Sequence, residues 1–237
     1  MKKNLFFVGL MLALSLSASA QYKGFAFGFK VGPGFDWIGS TTGGAIKGGT
    51  RTGLGMGVVA EYYFAENYAI VTGVNVNMYR GHYGFEDARM DSVQNVEKFT
   101  VDRYYKSTVY EIPLMLKMVT NELGDAPLRA YAEVGAGIGF AQKVKVKDDN
   151  SDVYASTNKE YSNIRASLKA GAGVQYAIDK STRLFAGVYF SHDFVNNINS
   201  ITPNYYKFYH GDKNLGERDV KLNVLQNRLG IEVGVLF

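Results

Sequence analysis

Cysteine is absent from the 237-residue sequence, which excludes disulfide staples, thiolate metal sites, a cysteine nucleophile and a lipoprotein attachment point. Proline occurs only four times and tryptophan once. No apolar run reaches the roughly 20 residues that a membrane-crossing helix needs. A concentrated basic stripe is lacking too: the formal charge is only +4, and the bases are scattered, which argues against a nucleic-acid partner.

The start of the chain is distinctive. Lys2 and Lys3 precede a mostly apolar run from Leu5 to Leu16, and Ser17-Ala18-Ser19-Ala20 precedes Gln21. A charged n-region, a short h-region and an A-x-A site predict a cleaved signal peptide over residues 1–20 and a mature domain over 21–237.

Glycine (27), tyrosine (17) and phenylalanine (15) are plentiful, a composition suited to extended strands with aromatic ends. Eight segments of about ten residues alternate with the period of two that puts successive side chains on opposite faces. They are "GFAFGFKVG" (Gly24–Gly32), "GLGMGVVAEYYF" (Gly53–Phe64), Tyr68–Tyr79, "TVYEIPLMLKM" (Thr108–Met118), "LRAYAEVGAGIGF" (Leu128–Phe140), "IRASLKAGAGVQY" (Ile164–Tyr176), "RLFAGVYFS" (Arg183–Ser191) and "NRLGIEVGVLF" (Asn227–Phe237). In the last, Leu229, Ile231, Val233, Val235 and Phe237 share one face, opposite Arg228, Gly230, Glu232 and Gly234.

Every ionisable residue within these segments falls on the glycine-containing face: Lys30, Glu61, Glu111, Lys117, Arg129, Glu133, Arg165, Lys169, Arg183, Arg228 and Glu232. Such sorting suits a soluble barrel with polar skin as well as a membrane barrel with polar lumen. Three features decide for the membrane: the leader, the aromatic strand ends and the connections. Links after the second, fourth and sixth segments are short or moderate, and those after the first, third, fifth and seventh are long and polar. A barrel with short periplasmic turns and longer outward loops predicts that alternation. The expected fold is all-β, an eight-stranded antiparallel transmembrane up-and-down β-barrel in the cell outer membrane. Eight strands enclose a lumen that side chains can fill, so the eleven charges are expected to form an internal network, with the inward glycines leaving room for Arg, Lys and Tyr. Pro113, inside a strand, predicts a local bulge.

"YEIPLMLK" (Tyr110–Lys117), "EVGAGIGF" (Glu133–Phe140), "LKAGAGVQY" (Leu168–Tyr176) and the terminal Phe237 resemble the PorT-like outer-membrane β-barrel family, small barrels of the OmpA/OmpX shape. The resemblance spans essentially the whole mature chain and implies fold and location more than activity. It also implies that Val233, Val235 and Phe237 form the signal read by the outer-membrane assembly machinery. The founding branch of that family serves protein secretion, but no secretion-specific motif stands out in this chain.

Other chemistry is thinner. Ser191-His192-Asp193 contains the residue types of a hydrolytic triad, but neighbours in an extended chain point to opposite faces and cannot converge. "KDDNSD" (Lys147–Asp152) lacks the spacing and the Glu of an EF-hand and reads as a solvated loop tip. "NYYKFYHGDK" (Asn204–Lys213) could contact a partner or belong to an aromatic girdle. "GGAIKGGT" lacks P-loop spacing. No catalytic, metal or cofactor site is expected. The expectation is a non-enzymatic barrel with an envelope or loop-mediated binding role, its partners being outer-membrane lipid, the assembly machinery and an extracellular or envelope protein. The alternatives are a narrow porin for small solutes and a lipid-A-modifying enzyme.

Overall fold

Alternation of apolar and polar side chains makes the backbone pair laterally. In the computed structural model, which describes residues 24–40, 45–46, 48–90, 96–142, 144–148, 155–157, 161–196 and 224–237, the described elements are all β-strands. They are β1 (Phe25–Ser40), β2 (Ala45–Ile46), β3 (Arg51–Ala65), β4 (Tyr68–Met90), β5 (Val96–Val119), β6 (Leu128–Ala141), β7 (Val144–Asp148), β8 (Ala155–Thr157), β9 (Ile164–Ala177), β10 (Arg183–Asp193) and β11 (Val224–Leu236). Eight of them, β1, β3, β4, β5, β6, β9, β10 and β11, each pair antiparallel with the next in the chain, and β11 returns to β1. The result is a closed eight-stranded antiparallel barrel. Closure leaves no unpaired strand edge, the condition for a sheet to stand in hydrocarbon. Strands β2, β7 and β8 extend the wall at the long-loop end, on β4, β5 and β7 respectively.

The apolar side chains face outward and the ionic ones inward. Leu114, Ile138 and Leu168 are 64%, 57% and 55% exposed, whereas Asp36, Glu61 and Arg228 are at most 1% exposed. The exposed apolar rows, such as Tyr110–Met118 and Leu229–Phe237, match the about 9–11 residues of a bilayer-spanning tilted strand. Exposed aromatics rim both ends: Phe25, Tyr62, Phe64, Tyr68 and Tyr176 by the short turns, Phe35, Tyr110, Phe140 and Phe190 by the long loops.

Several strands are longer than their alternation predicts. The segment ending at Tyr79 and the one starting at Thr108 continue as a paired β4–β5 hairpin out to Met90↔Val96. Above the bilayer the outer face of the hairpin no longer meets lipid, so a strict apolar–polar period of two no longer marks a paired backbone. Strand β1 runs past Gly32, where the first alternating segment ends, through "PGFDWIGS". Its ladder to β11 skips from Val31↔Val233 to Gly34↔Gly230, keeping the same frame. The bulge expected at Pro113 is absent. Pairing with β6 is continuous through Pro113↔Gly137, and on the β4 side the ladder resumes in frame after omitting two pairs between Thr72↔Leu114 and Asn75↔Glu111. The strand absorbs the lost N–H without an extra residue, and the Thr72 hydroxyl donates to the Pro113 carbonyl at 2.8 Å.

The segment read as a signal peptide and the aromatic segment Asn204–Lys213 lie outside the described residues.

Candidate functional site

Inward positions on strands that meet only through closure bring charges together from opposite ends of the sequence. Starting at the short-turn end, Lys117 of β5 meets Glu61 of β3 at 2.5 Å. Its ammonium also lies 4.1 Å from the centroid of the Tyr131 ring, a cation–π contact. The Tyr63 hydroxyl donates to Glu61 at 2.8 Å and accepts from Arg183 at 2.9 Å, so Arg183 joins from the rim through a phenol. Further outward, Lys30 meets Glu232 at 3.0 Å and Lys169 meets Glu111 at 2.5 Å, with the Asn75 amide donating to Glu111 at 3.2 Å.

The outermost layer holds two guanidiniums. Arg228 donates Nε and Nη2 to the two oxygens of Asp36 at 2.6 and 2.9 Å, and makes further bonds to Asn77 Oδ1 and the Met78 carbonyl. Arg165 donates to Asp193, its Nε at 2.8 Å, and to Gln226 at 3.1 Å. The Tyr79 ring takes both cations, Arg228 at 3.9 Å and Arg165 at 4.2 Å from its centroid. Glycine makes this layer possible: a Cβ on Gly53 would sit 2.4 Å from Arg228 Nη2 and 2.5 Å from Asp36 Oδ2.

Nine of the eleven sequence-assigned charges enter this column or its short-turn rim by the contacts above. Glu133 stands across the ladder from Lys117 and lines the residual cavity with Lys30, Lys169 and Glu232. Arg129 does not belong to the network, which corrects its assignment. It sits at the short-turn rim and donates to the carbonyls of Thr120 at 2.6 Å and Glu66 at 3.5 Å, because one more step along β6 brings an inward side chain level with the turns. Asp36 and Asp193 are the residues that the sequence reading missed, since each lay beyond the assigned strand end. A signal existed: seven bases against four acids cannot balance in a sealed lumen, and extending the alternation past Pro33 and past Ser191 places both aspartates inward.

Inward apolar residues cap the ionic column at both ends. By the short turns, Ala26, Val59, Val71, Met115, Val119, Tyr131, Phe185 and Leu236 form one buried cluster. At the outward mouth, Ile38, Tyr83, Phe85, Tyr105, Val144, Tyr161 and Val224 form another. The cavity between them measures about 40 Å³, room for a few water molecules, and a second under the outer cap about 20 Å³. Asn75 Oδ1, which lacks a protein partner, belongs to a residue lining the larger cavity and suits such water.

The residues of the triad diverge. Ser191 and Asp193 are buried on the lumen side, and Asp193 is engaged by Arg165. His192 lies on the other face, its Nδ1 2.6 Å from Asn227 Oδ1. Among the described residues no three His, Asp or Glu side chains gather as a metal site. Of "KDDNSD", Lys147 and Asp148 lie in β7; of "GGAIKGGT", Ala45 and Ile46 form β2 against β4. At the carboxyl end, Val233 and Phe237 face outward, and Phe237 exchanges backbone hydrogen bonds with Phe27.

A closed barrel with an apolar skin and a charged interior defines an integral membrane protein of the outer-membrane type. The chain belongs to the family described as "outer membrane protein beta-barrel domain", which matches residues 17–203, and the protein is located in the outer membrane. Similar solved structures include Neisserial surface protein A (14% identity, 89% of this chain, 97% of that one, TM-score 0.41). Ail of Yersinia pestis is similar at 14% identity, 90% and 99% coverage and TM-score 0.41, and OprG of Pseudomonas aeruginosa at 14%, 90%, 96% and 0.44. No residue role passes from them to this chain. No curated protein matches the sequence.

Proposed function

We propose that this protein is a non-enzymatic outer-membrane barrel whose lumen serves as a structural core, leaving its outward hairpins and loops to do the binding. The observation that carries this reading is the double seal: among the described residues two apolar clusters enclose five ion pairs, and the cavity between them measures about 40 Å³. A porin needs a continuous water path, and a triad enzyme needs Ser191, His192 and Asp193 to converge; neither is favoured by the geometry. Within the family, the PorT-like branch is the finer assignment, supported by "YEIPLMLK". The leader ending at Ala20 would be removed on export, and the assembly machinery would read Val233, Val235 and Phe237 on β11. An extracellular or envelope protein is the partner class for the outward segments.

The test is conductance. Purified protein in planar bilayers is expected to give no steady channel, and liposomes carrying it are expected not to swell in small sugars. Large steady conductance would overturn the sealed-lumen reading. Altered lipid-A mass in a strain lacking the protein, restored by the wild type but not by a His192→Ala variant, would overturn the non-enzymatic one.

A further inference from the structure

Polar side chains interrupt the apolar skin of the barrel near its outward edge, where β1, β11 and β10 lie side by side. Trp37 of β1 stands opposite Asn227 of β11, and Asn227 stands opposite His192 of β10. Their chain neighbours Asp36, Arg228, Ser191 and Asp193 are buried in the lumen, so these three side chains take the membrane side of the wall. Apolar residues bracket the polar pair along each strand: Phe190 and Phe194 lie two residues either side of His192, and Leu229 and Leu225 two residues either side of Asn227. The ladder geometry still holds at Phe194, which is exposed and whose N–H donates to the Ala166 carbonyl at 3.0 Å. Asn227 and His192 are therefore set within the apolar skin, not beyond it.

Polar groups among hydrocarbon must find hydrogen-bond partners. Part of that need is met within the pair, because His192 Nδ1 lies 2.6 Å from Asn227 Oδ1. An amide oxygen only accepts, so Nδ1 carries the hydrogen, and Nε2 of the neutral ring is left as an acceptor. The Asn227 Nδ2 group is left as a donor. Neither has a further protein partner among the described residues. Gly39 keeps the donor accessible: a Cβ there would stand 3.4 Å from Asn227 Nδ2. On the bilayer side, Trp37 leans across β11 until its ring centroid is 6.0 Å from that of Phe190, which lays an aromatic surface directly beneath the pair.

The chemistry that fits is one acceptor and one donor carried close together on an acyl chain. A glycerophospholipid ester offers its carbonyl to Asn227 but has no donor for Nε2. A 3-hydroxyacyl chain offers both, a linkage carbonyl and a hydroxyl two carbons away, and residues directly opposite on paired strands stand about 5 Å apart at Cβ, near enough to take one each. We propose that Asn227 and His192 bind the linkage region of a 3-hydroxyacyl chain in an outer-leaflet lipid. Asn227 Nδ2 donates to the ester or amide carbonyl, His192 Nε2 accepts from the hydroxyl, and the chain runs into the bilayer along Trp37, Phe190 and Leu229.

The test places the full-length protein in phosphatidylcholine vesicles doped with lipid A bearing free 3-hydroxyls, or with a synthetic analogue that lacks those hydroxyls. Lipid retained after extraction is titrated by native mass spectrometry. A neutral hydrogen bond is worth about 3- to 10-fold in affinity, so the wild type is expected to prefer the hydroxylated lipid by about that factor. His192→Leu is expected to lose the preference while still binding both lipids, and His192→Gln, which restores an acceptor, to recover it. Asn227→Leu is expected to weaken both lipids, again by about 3- to 10-fold. Leucine suits a lipid-facing position, and the heat-dependent gel shift of a folded barrel checks that each variant has assembled. A wild type with no preference, a preference unchanged in His192→Leu, or a His192→Leu variant that loses both lipids together would overturn the proposal. Retention is read apart from conductance and from any change in lipid-A mass, so failure here leaves the function proposed above standing.

Discussion

Asp36→Asn isolates the contribution of the outer ion pair, because it keeps the shape of the side chain and removes its charge. Asp36 is fully buried and accepts three hydrogen bonds: two from Arg228, at 2.6 and 2.9 Å, and one from the backbone N–H of Arg80 at 3.1 Å. Asparagine offers one acceptor oxygen in place of two, so one Arg228 donor keeps a bond to a neutral partner while the other faces an amide NH2 that cannot accept, and at least one charge-assisted bond worth roughly 1.5–3 kcal/mol is lost. The Arg228 cation keeps Asn77, the Met78 carbonyl and the Tyr79 ring, which softens the loss. Removing one partner of a buried pair typically costs about 3–5 kcal/mol, and the retained contacts place this case near 3. The double variant Asp36→Asn/Arg228→Met leaves no orphaned cation and is expected to be more stable than Asp36→Asn alone, with a coupling of about 2 kcal/mol. Urea titration of the barrel in vesicles measures both. Trp37, the only tryptophan, reports from the adjacent outward position, and gel mobility provides a probe away from the mutation. A loss below about 1 kcal/mol for Asp36→Asn, or a double variant worse than the sum of its parts, would refute the claim that the column is held by paired charge.

Gly53→Ala is expected to lose about 1–3 kcal/mol, because its Cβ would lie 2.3 Å from the Met78 carbonyl oxygen as well as against Arg228; equilibrium unfolding checks it. Gly124→Ala meets no neighbour within 4 Å but holds a φ of +69°, so about 1 kcal/mol of backbone strain should appear without any change in the lumen. Arg129→Gln, at the rim, should change stability by no more than about 0.5 kcal/mol, which separates it from the column residues in the same titration. Asp179, in the exposed turn after β9, accepts from the backbone N–H groups of Ser181 and Thr182 and from the Ser181 hydroxyl, which pulls its carboxyl down to about 2. A depressed carboxylate contributes stability above its ordinary value of 3.8 and loses it as the pH falls through about 2, so the melting difference between wild type and Asp179→Ala should shrink over that interval.

Within the bilayer the fold was legible because hydrocarbon enforces a strict sorting of side chains. Arg165, Ser167 and Lys169 alternate with Ile164, Ala166 and Leu168, so the charged set falls on the face that avoids lipid and the apolar set on the face that meets it. Where that constraint ends, so did legibility: the β4–β5 extension past Tyr79 carries His82, Tyr83 and Phe85, and three of the seven residues of the outer cap come from its two strands. The caps were hidden for a further reason. Val59, Val71 and Phe185 occupy the polar face in the sequence pattern, and only closure shows that they meet each other rather than water. Composition along single strands says which face is inward, but which inward residues meet depends on register between strands far apart in the chain.

The seam between β1 and β11 shows what the ionic column specifies. The two strands come from opposite ends of the chain, and their ladder lacks backbone pairs around Pro33, between Val31↔Val233 and Gly34↔Gly230. Ion pairs flank that gap on both sides: Lys30 with Glu232 toward the short turns and Asp36 with Arg228 toward the loops. A slip of one residue along this seam would turn charged side chains into lipid, at roughly 2–4 kcal/mol for each base near mid-depth. A slip of two would keep the faces but move Arg228 about 7 Å from Asp36, far beyond hydrogen-bond reach, and leave both buried charges unpaired. Backbone hydrogen bonds are nearly equivalent in all these registers. The paired charges are not, so they select the one register in which the first and last strands close the barrel.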